Sequence, residues 1–135
     1  TLPSEALSAE QRVPHVDSVQ GNGLATMHYL FRGDWGGTAF YRHRGTGFEA
    51  VDETRQAGYF AMLEQESRRE DATDGYIRGD SPLFERIDAV EGVFNRLVMY
   101  RRNSLHSATI DNFAVPPADP LHGRLSINSF IDVIP

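Results

Sequence analysis

The chain has 135 residues, a formal net charge of −6 at pH 7 and no cysteine. That length fits one domain built on one hydrophobic core. The acidic balance excludes a general nucleic-acid binder, which needs a basic face to neutralise phosphates. The lack of thiols excludes disulfides and thiolate metal sites, leaving His, Asp and Glu as strong metal ligands.

Residues 1–12 read as a polar lead-in with one helical turn over 4–11. The chain opens on Thr1 rather than methionine, which leaves room for a removed segment. "VPHVDS" then sets His15 and Asp17 two residues apart. "LATMHYLF" (24–31) is an apolar run between "GNG" and "RGDWGG" and predicts a buried strand. "TAFYRHR" (38–44) follows Gly36-Gly37 and alternates, so it predicts a second strand. Arg42, His43 and Arg44 form a small basic cluster there, read as a solvated face or a brace.

The pattern changes after Gly45. Residues 52–71 are rich in helix formers, with Tyr59, Met62 and Leu63 at helical spacing. "SPLFERIDAVEG" (81–92) predicts a second helix, with Ser81 as cap, Pro82 in the first turn, Phe84, Ile87 and Val90 inward, and Gly92 at its end. The two make a helical insertion at about 50–92. β-structure returns in 94–101, in the short strand 105–110, and in 124–134, where alternation is clear. Between the last two lies a proline-rich loop, 111–123. The order strands, helices, strands predicts a mainly β fold, a barrel or jelly roll decorated by helices.

Two residues apart on an extended chain project to one side. His15 and Asp17 therefore supply two ligands of a facial triad of two histidines and one carboxylate, the set that holds non-haem Fe(II). His106, at the start of a late strand, supplies the third. Arg124 follows on the last strand, and its planar fork suits a carboxylate. Ser126 shares its face. His28, His43 and His122 have no comparable partners in sequence.

"PHVDSVQGNGLATMHYLFRGDWGGTAFY" resembles the first half of the double-stranded β-helix of prolyl-hydroxylase-like 2-oxoglutarate/Fe(II) dioxygenases, and "RLVMYRRNSLHS" with "GRLSINSF" resembles its second half. "GGTAFYRHRGTGFE", "LFERI" and "FNRLVMYR" are similar to an uncharacterised bacterial branch of these proteins. The resemblance implies a jelly-roll barrel with Fe(II) on His15, Asp17 and His106, and 2-oxoglutarate on Arg124 and Ser126. It nominates Tyr29 as a further contact to the oxo acid. It implies oxidative decarboxylation of 2-oxoglutarate to succinate with O2 and hydroxylation of a small-molecule or peptidyl substrate. Halogenases of this kind lack the carboxylate ligand, and Asp17 is present. The gap from His106 to Arg124 is longer than the family's usual spacing, and the motif stands close to the start of the chain, so an N-terminal portion of the domain is expected to be missing.

Two rival readings stay open: a non-catalytic barrel that binds a ligand or partner, and a metal-dependent cupin-type isomerase or sugar-binding barrel. No apolar run approaches the roughly 20 residues that span a bilayer, so no membrane partner is expected. A cysteine-free chain fits a reducing cytoplasm. Substrate identity and oligomeric state are not encoded in any motif.

Overall fold

Alternating apolar residues between glycine-rich turns form β1 (Gly23–Tyr29) and β2 (Thr38–His43), close to their expected limits. The computed structural model describes residues 13–69, 79–110 and 116–134. The helical turn expected at 4–11 lies outside them. The turn between the strands depends on glycine: Gly36 has φ +73°, and a Cβ there would collide with the Thr109 carbonyl.

The helix α1 (Gln56–Ser67) falls inside the span expected at 52–71. Asp52 launches it. Its Oδ1 accepts the backbone N–H groups of Thr54 and Arg55, each at 3.0 Å, and the Thr54 hydroxyl at 2.7 Å. Tyr59 is the buried anchor of its inner face, flanked by half-buried Leu63 and Glu66.

The second expected helix is a strand, β3 (Phe84–Val90), paired antiparallel with β2. The insertion at 50–92 therefore holds one helix and one edge strand among its described residues. Ser81 does act three residues ahead, as a cap would: its Oγ accepts the Phe84 N–H at 3.0 Å, and its own N–H donates to the Phe84 carbonyl at 2.8 Å. The chain then extends instead of coiling. Phe40 pairs with Asp88 and Tyr41 with Arg86, so Ile87 is the extra residue of a bulge. A bulge shifts the two-residue alternation by one. It turns a strand's apolar residues into the 84, 87, 90 spacing that imitates a helix face.

Three more strands follow: β4 (Leu97–Arg101), β5 (His106–Ala108) and β6 (Ser126–Asp132). The fold is mainly β, with two antiparallel sheets ordered β4-β1-β6 and β3-β2-β5. Register assigns their faces. Tyr29, Met27 and Ala25 share a face with Tyr100, Val98, Ser126, Asn128 and Phe130. That face meets Thr38, Phe40 and His106 of the other sheet. The Tyr29 hydroxyl bonds Thr38 Oγ1 at 2.5 Å, and the Phe40 and Tyr100 rings meet edge to face at 5.4 Å. The reverse face of β2 carries the main core of Ala39, Tyr41, Val51, Tyr59, Phe84 and Leu105 beneath α1.

The strand assignment is testable by truncation. Phe84 is 1% exposed and Ile87 is 39% exposed. Phe84→Ala should cost about 3–5 kcal/mol, and Ile87→Ala at most about 1 kcal/mol, in urea denaturation. A helix facing inward through Phe84, Ile87 and Val90 would make the two losses alike.

Candidate metal centre

His15 and His106 stand directly opposite in an antiparallel bridge. His15 N–H donates to the His106 carbonyl at 2.9 Å, and His106 N–H returns the bond at 3.0 Å. Paired residues put their side chains on one face. The two imidazoles accordingly sit with ring centroids 4.7 Å apart. Asp17 lies two residues on, its N–H held by the Arg102 carbonyl at 2.8 Å, so its carboxylate projects to the same side.

The three side chains converge. One ligand atom from each of His15, Asp17 and His106 lies within 4.8 Å of the others, and Asp17 Oδ2 is 3.5 Å from His106 Nε2. Metal bonds of about 2.1 Å set neighbouring ligands of an octahedron about 3 Å apart. The group therefore needs only a small contraction to hold one ion. Among the described residues, the remaining histidines are engaged elsewhere. His28 bonds Asn95 Oδ1 at 2.9 Å, His43 bonds Glu66 Oε2 at 2.7 Å, and His122 bonds Asp119 Oδ2 at 2.5 Å.

The ring orientation of His106 suits a ligand. Its Nδ1 lies 2.9 Å from the Ser104 carbonyl. A carbonyl only accepts, so the proton sits on Nδ1 and the lone pair on Nε2 faces Asp17 and His15. A backbone carbonyl in this role is the usual outer partner of a metal-ligating histidine. His15 turns its Nδ1 to the Val13 carbonyl in the same sense, at a long 3.4 Å. Burial, and then the neighbouring His15, holds the His106 imidazole below its ordinary pKa and keeps it neutral.

Arg124 is half-buried and reaches the segment ahead of β2. Its Nε donates to the Trp35 carbonyl at 2.9 Å and Nη2 to the Gly37 carbonyl at 3.3 Å. The guanidinium carbon lies 5.3 Å from the Phe31 ring centre and 5.9 Å from that of Tyr29. Gly37 is three residues along the chain from Phe40, which pairs with His106. At about 3.3 Å per residue this separates the cation from the triad by on the order of 10 Å. Ser126 is half-buried and pairs in register with Tyr29. Tyr29 is fully buried, its hydroxyl bonded to Thr38, and burial raises its pKa against the opposing pull of that hydrogen bond and of Arg124.

The basic cluster is a brace. Arg42 pairs with Glu49 at 2.5 Å and Glu85 at 3.3 Å, Arg44 pairs with Asp80 at 3.4 Å, and buried His43 joins β2 to α1 through Glu66.

Sequence reasoning missed Tyr100. Its hydroxyl lies 3.2 Å from His106 Nε2 and its ring 4.7 Å from the His106 ring. Burial pushes its phenol pKa up, helped by the nearby Asp17 carboxylate and by Tyr29. Alternation along 94–101 puts Tyr100 on one face with Val98. Only the pairing of β4 with β1 says that this face is the inner one.

A neutral histidine in the folded chain that would titrate near its ordinary value when unfolded gives a definite pH dependence. His106 has its folded pKa lowered, so the unfolded state binds the extra proton first. Its contribution is complete above about pH 6.5 and is lost progressively as pH falls below that value. Urea midpoints of metal-free protein should drop between about pH 6.5 and 5.5, and His106→Gln should flatten that part of the profile.

A family model described as "Family of unknown function (DUF6445)" matches residues 1–131. No curated protein and no solved structure matches the chain.

Proposed function

We propose that this chain, which belongs to the DUF6445 family of unknown function, is an Fe(II)- and 2-oxoglutarate-dependent oxygenase that hydroxylates a small-molecule or peptidyl substrate. The observation that carries the reading is the convergence of His15, Asp17 and His106, from two distant parts of the chain, to within 4.8 Å. Two imidazoles and one carboxylate suit Fe(II), and a triad on one face leaves coordination positions open to other ligands.

The second support is Arg124. A cation on the order of 10 Å from the triad suits a five-carbon diacid that chelates the metal at one end. The Arg124 head is fixed by the carbonyls of Trp35 and Gly37. The Tyr29 ring lies 5.9 Å from the Arg124 guanidinium carbon and Ser126 pairs in register with Tyr29, so both stand near the cation that would take the far carboxylate. The paired sheets β4-β1-β6 and β3-β2-β5 agree with the jelly-roll arrangement that this chemistry uses.

In this reading His15, Asp17 and His106 hold the metal, and Ser104 keeps the His106 proton on Nδ1. Arg124 would orient the oxo acid by its distal end. When bound, iron with the oxo acid would supply the oxidising power, consuming O2 and releasing CO2 and succinate.

The test begins with protein purified under nitrogen. One Fe(II) per chain should bind, and 2-oxoglutarate in air should yield succinate. No metal uptake and no succinate would overturn the reading. Arg124→Ala should spare metal binding and weaken 2-oxoglutarate at least a hundredfold, measured by titration into the Mn(II)-loaded protein. Two charge-assisted bonds of about 1.5–3 kcal/mol each are at stake.

A further inference from the structure

Tyr100 has no part in the chemistry assigned above, yet its hydroxyl lies 3.2 Å from His106 Nε2. The His106 Nδ1–H is committed to the Ser104 carbonyl at 2.9 Å. Nε2 is therefore an acceptor, and the Tyr100 O–H, 3.2 Å away, is the donor. Phe40 packs edge to face on Tyr100 at 5.4 Å and fixes the phenol ring over the imidazole. Asp17 Oδ2, at 3.5 Å from the same nitrogen, is the neighbouring acceptor.

One lone pair cannot serve both a hydroxyl and a metal ion. We propose that Tyr100 is a positioning residue of the metal centre: it holds the His106 Nε2 lone pair while the site is empty and yields it to the incoming ion. The inference rests on the metal reading of His15, Asp17 and His106. The hydroxyl keeps Nε2 aimed between the sheets and occupies the ligand position until the metal displaces it. An ion held on Nε2 by a bond of about 2.1 Å would lie no more than about 5.3 Å from the phenol oxygen where it now stands, 3.2 Å from that nitrogen.

Removing the hydroxyl while keeping the ring has a signed consequence. Metal binding to the native chain must break one neutral hydrogen bond, and binding to Tyr100→Phe need not. Tyr100→Phe should therefore bind Mn(II) more tightly, by about 2- to 10-fold, the worth of that bond. A merely structural tyrosine would loosen the site on removal and weaken binding. The imidazole itself gives a second readout that needs no variant. Nitrogen-15 spectra of the metal-free native chain should report the Nδ1–H tautomer of His106, and the Nε2 resonance should shift in Tyr100→Phe.

Three results overturn the proposal. One is an equal or weaker Mn(II) affinity in Tyr100→Phe, the second is an Nε2–H tautomer in the native chain, and the third is an Nε2 resonance indifferent to the substitution. Mn(II) uptake by both proteins with equal affinity removes the role of Tyr100 and leaves the metal reading intact. Failure of both to take up Mn(II) removes the two together.

Discussion

The pair of backbone hydrogen bonds between His15 and His106, at 2.9 and 3.0 Å, is the constraint on which the site depends. It joins residues 91 positions apart and leaves their side chains no choice of face. Everything else in the centre follows by alternation. Asp17 reaches the same side two residues after His15, and Phe40 of β2 pairs directly with His106 of β5. Closing so long a loop carries an entropic cost that grows only slowly with its length. The core under α1 offsets that cost, because Leu105 and Ala39 lie beside the same strands with their side chains on the opposite face.

This arrangement divides labour between two faces of one sheet. The face beneath α1 is apolar, joined to the helix by His43 and Glu66, and supplies the packing. The other face carries Thr38, Phe40 and His106, and meets a sheet whose inner face carries Tyr29 and Tyr100. Polar groups between the sheets are satisfied in sequence: Ser104 by His106, His106 by Tyr100, Thr38 by Tyr29. Buried polar groups held in this way cost little and keep defined orientations, which a ligand set requires.

Arg124 and His106 are set by different parts of the chain. The two residues ahead of β6 deliver the arginine and β5 delivers His106, so the long proline-containing segment between them does not set their separation. The spacing comes from the stretch 37–40 that leads into β2: the Gly37 carbonyl is bound by Arg124, and Phe40 is paired with His106. A count of residues between His106 and Arg124 is therefore a poor guide to whether they cooperate.

Most strands and the helix were legible in the sequence, because alternation and glycine-rich turns are local signals. So were His15, Asp17 and His106 as a set, since ligand chemistry limits a cysteine-free chain to few combinations. The segment 84–90 was misread because a single bulge at Ile87 changes the phase of its apolar residues, and a bulge exists only relative to a partner strand. Tyr100 was invisible for the same reason. Nothing in "LVMYR" says which face is inward until β1 pairs with it. The sequence by itself determined which side chains were available and which neighbours in the chain would point together. The tertiary structure alone decided which distant strands lie side by side. Register between strands 50 or more residues apart is set by packing of the whole core, not by any local preference.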